Sequence, residues 1–224
     1  MKGSVVQALI LTDWHRHRLH ILLCLVCGGL ALALIQVGGE LPTIFGATVF
    51  FVGLIVLGSM LPVSNVINER KKQTLPFLMS LPLSVTQYTA AKIVSTVGMF
   101  LVPWLTLVVA AVSFIATHPV IPDGFIPAIL IAAIFTFVGF CVIAGVALVS
   151  ESEGATIAAT IGSNSLYGFG WYLLIRNPAI RADMSSPVIV WSREVLTILG
   201  IEIAVIALIL GLTFYLQSRK RDFI

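Results

Sequence analysis

NVINERKKQTLPFLMSLPLSVTQYTAAK, residues 65–92, is the longest polar interval in an otherwise apolar chain, and it holds four of the thirteen Lys and Arg residues. Inside it lies a short apolar island, Leu75-Pro76-Phe77-Leu78-Met79-Ser80-Leu81, with charge on one side and a turn on the other. Thr74 is placed to cap a short helix there, because its hydroxyl can accept an orphan amide of the first turn. Pro76 is tolerated in that first turn, where no amide donor is needed. Pro82 closes the segment, and Ser84 with Gln87 then forms a capping box for the next helix. A greasy two-turn helix at the water side of a membrane needs a cover. Two covers fit: the lipid headgroups, or a groove on a soluble partner.

The membrane follows from composition. The chain has 224 residues, of which 58% are hydrophobic and only 10% charged, where a soluble domain carries about 25%. Mean hydropathy is +1.06. These values predict an all-α, polytopic membrane protein, a single domain over residues 1–224. The net charge of +3 is no signal for nucleic acid, because the cations are sorted by membrane side. Cys24, Cys27 and Cys141 all lie in apolar runs, so no disulfide framework is indicated.

Six stretches are long enough to cross a bilayer, near 19–38, 44–64, 90–117, 125–149, 156–175 and 195–216, a span needing about 20 residues. With a cytoplasmic amino terminus, Lys2, Arg16, Arg18, Arg70, Lys71, Lys72, Lys92, Arg219, Lys220 and Arg221 are inside, and only Arg176, Arg181 and Arg193 are outside. That asymmetry places both termini in the cytoplasm. Before the first span, Val5, Val6, Leu9, Ile10 and Trp14 share a helical face, with Lys2 and Asp13 in the flanking polar regions. Residues 1–18 therefore read as an interfacial elbow helix. The long charged lead argues against a signal peptide cut at Ala31-Leu32-Ala33.

The third span has a surplus. From Ser84 to about Thr117 it is about 33 residues and about 50 Å long, where the hydrocarbon needs about 30 Å. The excess projects into the cytoplasm with Tyr88 and Lys92, and makes a lever that Pro103 can kink. The fourth and fifth spans meet at a tight acidic turn, residues 150–154. In the fifth span, Ala155, Ala159 and Ser163 recur at four-residue spacing, with Ala158 and Gly162 beside them, and small residues so spaced let helices approach closely in lipid. Asn164 and Tyr167 add polar groups at membrane depth. The stripe reads as an interhelical contact or as a wall of a substrate path, and the two are compatible if the contact lies between two copies of the protein. The outer loop, 176–194, is too short for a domain and reads as a lid. Glu202, about two turns into the last span, is a candidate outer polar site, and a water-exposed position near the outer mouth explains it equally.

No G-x-x-x-x-G-K-[ST] phosphate loop, H-E-x-x-H or G-x-S-x-G occurs, and no paired intramembrane carboxylates are present. A membrane enzyme acting on lipid, or a non-transporting anchor or immunity protein, are the alternatives to a transport subunit.

Residues 69–92 resemble the cytoplasmic coupling segment of the type-2 permeases of ATP-binding-cassette (ABC) exporters. The family pattern E-x-x-x-x-T-L-x-x-L-x-x-L-P is matched by Glu69, Thr74, Leu75, Leu78, Leu81 and Pro82, and the Lys that opens the third span by Lys92. Gln73 stands where the family often has Gly, and Val85 where it often has a basic residue. The resemblance implies a multi-pass protein of a bacterial inner (plasma) membrane. It implies a cytoplasmic ABC ATPase subunit as partner, docked on Glu69, Thr74, Leu75, Phe77, Leu78, Leu81 and Pro82. It implies a second copy or sister permease facing the first and fifth spans. The chain itself would hold no cofactor and catalyse no reaction; ATP and Mg would bind the partner.

Overall fold

The computed structural model describes residues 2–67, 85–118 and 120–219. Its elements are α1 (Lys2–Gln36), α2 (Glu40–Pro62), α3 (Val85–Thr117), α4 (Ile126–Ser150), α5 (Glu153–Arg176), α6 (Pro178–Met184) and α7 (Arg193–Ser218). No strand occurs among the described residues. Among the described residues, five stretches are long and apolar enough to cross a bilayer: Ile10–Gln36, Glu40–Ile67, Ala90–Thr117, Asp123–Ser150 and Arg193–Ser218. The chain is a multi-pass helical membrane protein. At 24 residues α5 has the length of a span, but Ser163, Asn164 and Ser165 make its middle more polar than the other five.

Short, chemically specified links join the helices. Gly38 and Gly39 turn the chain between α1 and α2 with φ of 76° and 88°, a region open to glycine and costly for other residues. Glu151 closes α4 in the left-handed conformation, φ 58°, and its amide donates to the Ala147 carbonyl at 3.2 Å. Ser152 then caps α5 by accepting from the Ala155 amide at 3.4 Å. The tight acidic turn expected at 150–154 is thus two caps back to back. Asn177 ends α5 and starts α6, its side chain accepting from the Ala179 amide at 3.0 Å.

The helices alternate in direction. The N-terminal part of α1 meets the N-terminal part of α3 through Asp13 and Lys92, and the turn that follows α2, Val63–Ile67, meets the end of α4 through Val66, Ile67, Ala147 and Leu148. The ends of α4 and α7 touch where Gly145 leaves room for the Thr213 hydroxyl. These termini gather at one end of the bundle. At the other end the Gly124 amide donates to the Ser186 carbonyl at 3.1 Å, tying the link between α3 and α4 to the segment after α6.

α1 to α4 form the body. Phe100 of α3 stacks on Phe140 of α4 with ring centroids 4.3 Å apart, inside a cluster that includes Leu54, Leu57, Leu107 and Ala144. The Trp104 indole donates to the Ala133 carbonyl at 2.9 Å, giving α3 and α4 a polar tie where lipid supplies no drive for helix association. α5 and α7 flank α4, and their outer faces are apolar and exposed, as lipid-facing helices require.

Two expectations change. The interfacial elbow of residues 1–18 does not form a separate element: α1 runs unbroken for 35 residues from Lys2. No Gly or Pro lies between Ser4 and Cys27 to stop a helix once begun. The outer loop 176–194 is likewise more ordered than a bare lid, since α6 lies within it. Ile180 of α6 is buried with Ala128, Ile131, Leu174 and Val195. The third span meets expectation, with 33 residues from Val85 to Thr117 and Pro103 inside it.

Candidate functional site: a buried ion pair flanking the polar segment

The polar segment that organises the sequence is bounded in space by one buried cluster. Pro62 ends α2 and has no amide to give to the residue four before it. The chain continues as a wider π-helical turn, Val63–Ile67, a distortion frequent at functional sites. This turn carries Asn65 into the bundle. Lys92, Ser95 and Thr96, at i, i+3 and i+4, share one face of α3, and α1 brings Asp13. All five side chains are at most 3% exposed.

Their polar groups satisfy one another. The Lys92 ammonium donates to Asp13 Oδ2 at 3.0 Å, to Oδ1 at 3.2 Å and to Asn65 Oδ1 at 3.3 Å. The Ser95 hydroxyl donates to Asp13 Oδ2 at 2.8 Å. Asn65 Nδ2 donates to the Thr96 hydroxyl at 2.8 Å. Burying two charges costs several kcal/mol per ion unless pairing and further hydrogen bonds offset it, and here both are present. His17, one turn beyond Asp13 on α1, is buried beside the cluster, and its Nε2 has no hydrogen-bond partner among the described residues.

Lys92 was expected to project into the cytoplasm, and Asp13 to lie in a polar flank. Both are instead inside the bundle, because each removes the other's desolvation penalty. Asn65, Ser95 and Thr96 escaped the sequence reading. A signal existed: an Asp and a Lys inside otherwise apolar helical runs are almost never buried unless paired. Their partners could not be read, since they lie 79 positions apart.

The arrangement is a clamp. It ties α1, the end of α2 and the start of α3 within a few residues of both ends of the polar segment. The residues expected to dock a partner, Glu69, Thr74, Leu75, Phe77, Leu78, Leu81 and Pro82, and the capping residue Ser84, lie outside the described residues.

The second group of candidates is on α5. Ala155, Ala159, Ser163 and Tyr167 are half-buried. Ser163 comes against α4 at Gly139, and the Tyr167 ring lies 5.9 Å from Phe135 and 6.0 Å from Phe51. This stripe packs within the chain. Asn164 is exposed beside it. Tyr167 and Trp171 stand between two cavities: one of about 350 Å³ among α4, α5 and α7, and one of about 610 Å³ reaching α1, α2 and α3. Glu202 lines the first and is only 5% exposed, so a water-exposed position does not account for it.

No protein-family model matches the chain, and no curated protein or solved structure matches it either.

Proposed function

We propose that the chain is the membrane-spanning subunit of an ABC transporter, working in the export direction. It moves a substrate with ATP hydrolysed on a separate cytoplasmic subunit that holds the ATP and Mg, and it catalyses no reaction itself. In this reading α5 is the sixth span, both termini are cytoplasmic, and the membrane is a bacterial inner membrane. The permease pairs with a second copy or a sister permease.

The observation that carries the reading is the position of the buried clamp. The polar segment begins at Asn65, which accepts a hydrogen bond from the Lys92 ammonium, and ends at Lys92, which is paired with Asp13. A docking helix is useful only if its displacement reaches the spans, and a junction that couples α1, α2 and α3 meets that need. The length of α3, 33 residues, adds support: at about 1.5 Å per residue it exceeds the hydrocarbon by about 20 Å. The surplus lies on the side of the coupling segment, where a moving partner would push.

The test is recovery of the partner. The tagged chain purified from its native membranes is expected to bring a protein with a phosphate-loop motif and vanadate-sensitive ATP hydrolysis. Purification of the chain as a homogeneous assembly without any ATPase contradicts the reading.

A further inference from the structure

Glu202 presents a buried acid with nothing to balance it. Its Oε2 is sealed from solvent and has no hydrogen-bond partner among the described residues. Glu202 lines the cavity of about 350 Å³ among α4, α5 and α7, whose other walls include Phe135, Tyr167, Trp171 and Asn177. A carboxylate in an apolar site is costly unless a charge or donor meets it, and intramembrane acids that persist are functional-site candidates for that reason.

We infer that this cavity is a binding site for a lipophilic organic cation, a tertiary or quaternary ammonium on an apolar body. The choice of ligand follows from the walls. One carboxylate supplies the counter-charge. The faces of Trp171, Tyr167 and Phe135 supply cation–π and apolar contact, and Trp is the strongest aromatic partner for such a cation. A metal ion would need more ligands, and among the described residues no three His, Cys, Asp or Glu gather to hold one. An anion would meet Glu202 itself. The volume lies in the ordinary range of small-molecule sites, about 300–1,000 Å³. Access is from the side of the bundle: Leu173 of α5 and Ile201 of α7, 52% and 57% exposed, line the cavity and face outward. An amphiphile already dissolved in the bilayer has a direct path in. The inference stands independently of the transport reading, since binding is a property of the chain alone.

The experiment uses the full chain purified in detergent and tritiated benzyldimethyldodecylammonium, with its uncharged isostere in which carbon replaces the quaternary nitrogen. Wild type is expected to bind the cation saturably, one per chain, and at least tenfold more tightly than the isostere. Glu202→Gln, which keeps the shape and removes the charge, loses that preference. Trp171→Leu weakens the cation several-fold and the isostere little. Partition into micelles differs between the two ligands, so it is measured for each without protein and the affinities are compared at equal free concentration; between wild type and variants it cancels. A second measurement needs no variant: dicyclohexylcarbodiimide, a lipid-soluble carboxyl reagent, is expected to modify Glu202. The cation should slow that reaction and the isostere should not, as read from the mass of the peptide carrying Glu202. Equal affinity of wild type for cation and isostere, an unchanged preference in Glu202→Gln, or no protection of Glu202 by the cation overturns the proposal.

Discussion

Lys92 concentrates the electrostatic risk of the molecule in one ammonium group, which meets Asp13 and Asn65 with no water between. Removing one partner leaves the other charged and buried, so Lys92→Met and Asp13→Leu are each expected to cost about 3–5 kcal/mol. The double variant removes both charges. It should be destabilised by clearly less than the sum of the single changes, with a coupling of about 1–3 kcal/mol, as measured by thermal unfolding in detergent. Additive losses would mean that the pair contributes no mutual stabilisation. At this scale the sequence was only half legible. The two charges stood out against apolar runs, but the helical face from Val5 to Trp14 drew Asp13 toward an interfacial helix. The contact that decides its fate is nonlocal, and periodicity carries no information about it.

The helices were easier to read, because length and apolar content decide them locally. α3 was predicted to within a residue of its ends, since no breaker interrupts it except Pro103, which the helix accommodates. The division of α1 into elbow and span failed for the complementary reason: a basic cluster changes a helix's surroundings without ending it. α5 shows what pattern alone leaves open. Its small residues occur on two adjoining faces, and spacing cannot say which meets another chain. Ala159 and Ser163 turn partly inward, whereas Ala158 and Gly162 face out, with nothing within 4 Å of a Cβ placed at Gly162. If copies of the chain associate through this face, Gly162→Leu is expected to weaken that association without lowering the stability of the single chain, because bulk blocks close helix approach. Ala159→Leu should do the reverse, costing about 1–3 kcal/mol of intrachain packing. Sedimentation in detergent and thermal unfolding of both variants separate the two faces. Equal dimerisation of Gly162→Leu and wild type would move any interface off this face of α5.

For the whole molecule, the alternation of helix directions puts the start of α1, Asn65 and Lys92, the turn between α4 and α5 and the end of α7 at one end, and α6 at the other. In the proposed reading the cation asymmetry places the first end in the cytoplasm. With the native cysteines replaced, single cysteines at Ser80 and Ser218 should react with an impermeant maleimide only in inside-out vesicles, and one at Ser186 only in intact cells. Labelling at Ser80 from outside would reverse the orientation. In the proposed function the island around residues 74–82 docks an ATPase, and a charge placed at Phe77 probes that docking. Burying one such side chain contributes about 1.5–3 kcal/mol, and an aspartate in its place adds a desolvation cost. Phe77→Asp and Leu78→Asp, expressed in native membranes and purified beside wild type, are predicted to reach normal membrane levels and keep their oligomeric state. Each should recover at least tenfold less ATPase. A full complement of ATPase on both variants would contradict the docking role.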